Sequence, residues 1–245
     1  MEEEIESTNS ENKKTKNKKL LIILAIIILI GIIGIICFIS SFVNEYSQRI
    51  VLGNEIENIN KTGNVDTEIK SKGKYADVEK ALKDYITEYQ TIATELENQY
   101  ENDKFSTLLS ADNYASDGPE FAESKKLVSD IKGKGEEVKT KLSEMVTNEY
   151  KEKRASDMNL TGKYKDLFIE SIQIENELEK VNKTIDNINN YLEKVENIFD
   201  FLNENNGKWE VKDNTVQFYD ATLLTKYNSL VSSVNIIANT LRMGL

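Results

Sequence analysis

Histidine is missing altogether from these 245 residues. Its absence removes the side chain most used as general base and metal ligand, and every Ser-His or Cys-His nucleophilic pair with it. Cys37 is the only cysteine, so no intramolecular disulfide can form. One proline, Pro119, and 11 glycines leave long stretches without a helix breaker. No long basic run follows residue 40, and the net charge is −11. Nucleic-acid binding, which needs a cationic surface to release counterions, is not expected. Anionic lipid headgroups are a poor match for the same reason.

What is present begins with Leu20–Ile39, a run without charge, amide or proline. At about 1.5 Å per residue such a run spans roughly the 30 Å hydrocarbon core of a bilayer. Lipid offers the backbone no hydrogen-bond partner, so the run is expected to be a helix. Leu20, Leu24, Ile28, Gly31, Gly34 and Ile39 mark its course as the membrane-spanning residues. Lys13, Lys14, Lys16, Lys18 and Lys19 stand directly before it, and only Arg49 follows closely. That asymmetry places the N-terminus in the cytoplasm and the C-terminal domain outside the plasma membrane. The polar segment 1–19 has no apolar period and reads as a disordered tail. Its five acids cancel its five lysines, so the acidity belongs to the rest of the chain.

Competing readings of this run fit less well. A cleaved signal peptide wants small residues before the cut, and Phe38-Ile39-Ser40 lacks them. A lipidated Cys37 would follow the bulky Ile36. Gly31 and Gly34 are three apart, not the four of a close-packing helix pair.

The division expected is 1–19 tail, 20–43 transmembrane helix, 44–74 stem helix and linker, and 75–245 extracytoplasmic bundle. Phe42 and Tyr46 suit the outer interface, and the apolar positions on to Ile59 recur at loose helical intervals. Glycines at Gly63 and Gly73 make 61–74 an irregular segment. From Tyr75 the pattern tightens. Tyr75, Val78, Leu82, Tyr85, Tyr89, Ile92 and Leu96 alternate spacings of three and four, predicting a helix over about 75–102. A short helical turn is expected through Phe105, Leu108 and Leu109. Ser116-Asp117-Gly118-Pro119 ends it.

A second long helix is expected from Glu120 to Lys153, through Phe121, Val128, Ile131, Val138, Leu142 and Met145. Gly133 and Gly135 within it mark either a close approach or a kink. The most regular stripe runs Tyr164, Leu167, Ser171, Ile174, Leu178, Val181, Ile185, Ile188, Leu192, Val195, Phe199, Leu202. It predicts one helix over Lys163–Asn203, about 60 Å long. Trp209 and Val211 against Val216 and Phe218 predict a small β-hairpin near 208–218, with Trp209 plugging it onto the helices. Asp220 is the expected cap of a last helix through Leu223, Tyr227, Leu230, Val234, Ile237 and Leu241. The fold class is therefore mainly all-α: a single N-terminal transmembrane helix, then an antiparallel, coiled-coil-like bundle with one hairpin.

Chemistry-bearing motifs do not stand out. Gly133-Lys134-Gly135 lacks the spacing of a phosphate-binding loop. Ala115 and Leu202 occupy ligand slots of any calcium loop built on Gly118 or Gly207. Glu175, Glu177 and Glu179 read as a solvated face rather than a glycosidase pair. Ser171 is expected to bond back to its own helix. The tyrosines, among them Tyr75, Tyr85, Tyr89, Tyr114, Tyr150, Tyr164, Tyr191 and Tyr227, read as core whose hydroxyls reach water at the rim.

No catalytic residue, metal or cofactor is expected. The membrane is the one partner the residues name; the protein partner or ligand stays open, as does self-association into a homo-oligomer. The expected role is non-enzymatic binding or scaffolding at the cell surface. A sensory or accessory ectodomain working with a membrane partner is the alternative, with an envelope enzyme as the remaining one.

Overall fold

The three-and-four rhythm after Tyr75 makes helices because it lets every marked side chain be buried on one face at once. The computed structural model describes residues 46–100 and 103–243. The expected span Leu20–Ile39, the lysines before it and Cys37 lie outside the described residues. Among the described residues no helix is long and apolar enough to cross a membrane. They are mostly helical, with one small antiparallel sheet of two strands.

In chain order the elements are α1 Tyr46–Thr62, α2 Lys74–Tyr100, α3 Asp103–Thr107, α4 Ala111–Asp117, α5 Ala122–Met145, α6 Asn148–Asp157, α7 Lys163–Ser171, α8 Glu175–Glu204, β1 Trp209–Lys212, β2 Thr215–Phe218 and α9 Ala221–Met243. Two compact units form. Among the described residues one draws on 46–96 and 136–183, the other on 97–135 and 184–243.

In the first unit α1 buries Leu52, Ile56 and Ile59, and α2 buries Val78, Leu82, Tyr85 and Ile86. Gly63 takes a left-handed φ of 70° and its N–H returns to the Ile59 carbonyl at 2.7 Å, which stops α1. The ion pair Lys141–Glu95 (3.3 Å) and the bond from the Tyr85 hydroxyl to the Met145 carbonyl (3.0 Å) ascend one helix while descending the other. Here α2 and α5 run antiparallel. Tyr85 is fully buried, so its hydroxyl is held inside and does not reach the rim. Tyr85→Phe should cost about 1 kcal/mol by deleting that bond, read as a lower denaturation midpoint at unchanged slope.

Two expected helices are each divided. The helix drawn over 120–153 ends at Met145, and Thr147 starts another that reaches Asp157. The Thr147 hydroxyl accepts from the Tyr150 N–H at 3.2 Å, so it caps a new helix rather than continuing the old one. The 41-residue helix over 163–203 is broken at Ile172–Ile174. Ile172 and Ile174 are both buried while Gln173 is exposed. Side chains two apart share a side only in extended backbone, so burying both isoleucines requires leaving the helix. The break turns α7, whose buried aromatic is Phe168 rather than Leu167 of the expected stripe. Ser171 does bond back, to the Leu167 carbonyl at 2.6 Å. The buried Lys151 ammonium of α6 donates to the Ile172 carbonyl at 3.0 Å, filling an acceptor that the break frees.

In the second unit α5 and α8 lie antiparallel, tied by Lys125–Asp200 (2.7 Å) and by Lys132–Glu196. A Cβ on Gly135 would stand 3.0 Å from Ile185 Cγ2. Close approach, not a kink, is the use of this glycine. The hairpin pairs Trp209 with Phe218 and Val211 with Val216. Asp213 and Asn214 supply its turn at φ of 48° and 58°, the left-handed pair that matches strand twist. Trp209 lies parallel to Phe121, and its indole N–H donates to the Leu202 carbonyl at 2.8 Å. Asp220 caps α9 by accepting from the Thr222 N–H at 2.6 Å.

Candidate functional site

Between α1 and α2 runs a strap, residues 63–73, with no helix or strand of its own. A segment like this has to find partners for its backbone groups elsewhere. Side chains of the two flanking helices supply most of them. Gln90 of α2 donates to the Gly63 carbonyl at 2.7 Å, and Gln48 of α1 accepts from the Lys72 N–H at 2.6 Å. Glu79 of α2 accepts from the Lys70 N–H at 3.1 Å, from the Ser71 N–H at 2.7 Å and from the Ser71 hydroxyl. Lys83, one turn along α2, donates to the Glu68 carbonyl at 2.5 Å.

The same groups form an ion network. Lys83 Nζ lies 2.8 Å from Glu55 Oε1 of α1, 2.8 Å from Asp66 Oδ1 of the strap and 3.1 Å from Glu79 Oε1. Lys70 Nζ joins Glu55 at 2.5 Å and Asp66 at 3.1 Å. The inner members are buried: Glu79 is 0% exposed, and Glu55 and Lys83 are each 4% exposed. Asp66 and Lys70 stand at the solvent edge.

Burial pushes the Glu79 carboxyl up, but the Ser71 and Lys70 donors and Lys83 outweigh it and hold it below the ordinary range. Burial likewise works against the Lys83 ammonium, and its bonds to Asp66, Glu55 and Glu79 overcome that and raise its pKa. Asp66 is lowered by the hydrogen bonds from Lys83 and Lys70. A depressed carboxylate stabilises the fold above its unfolded value and loses that effect as the pH falls through the folded one. A raised lysine stabilises below its unfolded value and loses the effect as the pH rises past the folded one. The network is therefore intact from about pH 5 to about pH 10.

Chemically, this arrangement occupies its own charges, three carboxylates bridged by two ammonium groups. A carboxylate already accepting several donors is a poor base, and an ammonium bridging three carboxylates is a poor nucleophile. Lys83 occupies the centre of the three carboxylates. Among the described residues no group of acids and cysteines is placed to hold a metal ion.

Two further polar clusters lie inside the units. Tyr150 donates to Glu88, which also meets Arg154 at 2.8 Å, so α6 is fastened to α2; burial and the Glu88 charge push Tyr150 up to about 12. In the second unit Tyr114, Tyr191 and Tyr227 are raised chiefly by burial, Tyr191 to about 12. They stay protonated and pack.

Residues named from sequence as membrane-spanning or topology-setting, Leu20, Leu24, Ile28, Gly31, Gly34, Ile39 and the five lysines, lie outside the described residues. Of the glutamates weighed as a pair, Glu179 is exposed. The members of the strap network were missed. Their one local signal was Glu79 and Lys83 four apart, each directly after a core position, Val78 and Leu82.

Together these features define a chain whose described residues are mostly helical and whose buried Glu55, Glu79 and Lys83 are paired with one another. No protein-family model, curated protein or solved structure matches the chain.

Proposed function

We propose that this chain is a single-pass membrane protein of the plasma membrane, with its helical body outside the cell in a non-enzymatic binding or scaffolding role. The observation that carries the reading is the uncharged run Leu20–Ile39 directly after Lys13, Lys14, Lys16, Lys18 and Lys19. Anchoring confines the body to the surface and raises its effective concentration for neighbouring partners. Buried acids already engaged by lysine and backbone donors support a scaffold reading over a hydrolase.

The test uses the full chain in cells. Under alkaline carbonate it should stay with the membrane pellet, and a variant lacking 20–39 should move to the supernatant. Protease added to intact cells should digest the body and spare an epitope at the N-terminus. Extraction of the intact chain by carbonate, or a body protected in whole cells, would overturn the proposal.

A further inference from the structure

The strap joins two helices that bury apolar residues in one unit, yet of its own apolar side chains only Val65 is even partly buried. Ile69 is exposed, and the one strap residue buried outright is the polar Ser71. What fixes the strap is a set of charged and amide side chains on either side of it. Glu55 and Gln48 belong to α1, Glu79, Lys83 and Gln90 to α2, and Asp66 and Lys70 to the strap itself.

We propose that residues 63–73 are a charge-latched strap that opens and closes as one unit at the joint between α1 and α2. The latch is the Glu79 carboxylate seated under the Lys70 and Ser71 amides, with the Lys83 ammonium drawing Glu55, Asp66 and the Glu68 carbonyl together. Its parts are mutually dependent. Without Glu79 three donors of the strap and Lys83 lose one acceptor together, and the strap has no second ladder to fall back on. Opening leaves α1 held by Leu52, Ile56 and Ile59, so the helices survive while the joint loosens into a tether. Fully extended, eleven residues reach roughly 35 Å. The closed state fixes the joint between α1 and α2, and the open state leaves α1 held by its apolar contacts alone. This holds wherever the chain is anchored.

The acids facing the latch are Glu55, Asp66 and Glu79, and the bases are Lys70 and Lys83. Acid that protonates Glu79 would open the strap, and physiological pH keeps it closed.

Hydrogen exchange of the full chain in detergent micelles at pH 7 tests the proposal, each amide being compared with its unstructured rate. The Lys70, Ser71 and Lys72 amides should be protected, though less than the amides of α5 and α8. Glu79→Gln, which keeps the shape and removes the charge, should raise strap exchange at least tenfold and leave α5 and α8 unchanged. Ser71→Ala, which keeps the carboxylate and removes one donor, should give a smaller rise. Unprotected strap amides in the native chain would overturn the proposal. So would Glu79→Gln with unchanged strap exchange, or with all helices accelerated equally.

Discussion

Phe199→Ala is expected to lower the stability of its unit by about 3–5 kcal/mol, the range for deleting a buried aromatic ring and leaving a cavity. Phe199 is fully buried on α8. Its ring stacks on Phe121 with centroids 4.9 Å apart, and meets Tyr114 edge-on at 6.4 Å. Phe121 in turn lies against Trp209 and meets Tyr114 edge-on, so one truncation loosens a cluster that joins α8, α4, the start of α5 and the hairpin. A domain's whole stability is about 5–15 kcal/mol, so the loss is a large fraction of it. Trp209, the only tryptophan, reports on this stack directly. A guanidinium titration followed by its fluorescence should show the midpoint fall with the slope unchanged. Phe199→Leu, which refills part of the space, should recover most of the loss. A midpoint for Phe199→Ala equal to that of the native chain would show that the stack contributes nothing.

The heptad rhythm made the core slots legible, and for a physical reason. Val78, Leu82, Val138, Leu142, Ile185, Ile188, Leu192, Val195 and Leu202 were all named by spacing, and all are buried. Spacing reports which face is apolar; it does not report whether the backbone stays helical between slots. Ser171 and Ile174 kept the phase of the stripe across a break, so the pattern ran on where the helix did not. The local cue was Ile172-Gln173-Ile174, a three-residue alternation too short to outweigh a long period. At Thr147 the cue was a capping residue placed after the last apolar slot, Met145.

The strap network was illegible for a different reason. Periodicity sends Glu79 and Lys83 to solvent, because each flanks the stripe. They are buried only because α1 and the strap close over that flank, bringing Glu55 to Lys83 across a long stretch of chain. Tyr85 and Tyr114 teach the same lesson about polar tips. A period places the ring, but where the hydroxyl ends depends on what covers it.

Lys83→Met carries the other large expected effect. Methionine fills similar space, so the change removes charge with little loss of packing. It leaves Glu55 and Glu79 buried without the ammonium between them. Removing one partner of a buried pair costs about 3–5 kcal/mol, because the other charge stays desolvated. Here the lower end applies, since Lys70 still reaches Glu55 and an opened strap would admit water to Glu79. The pH dependence carries the diagnosis. Without Lys83, burial acts on the Glu79 carboxyl with less to oppose it, so mild acid relieves the variant, while the native Glu79, held below the ordinary range, keeps its charge there. The stability gap between variant and native chain should therefore narrow as the pH falls from 7 towards about 5, near the ordinary carboxylate range. Replacing Glu79 by glutamine in the same chain should return part of the loss, because the uncompensated charge is then gone. Denaturation followed by the near-ultraviolet dichroism of the tyrosines gives all four corners of that cycle. A gap that stays the same across that range would mean that Lys83 holds the strap by packing alone, and that the charges around it are bystanders.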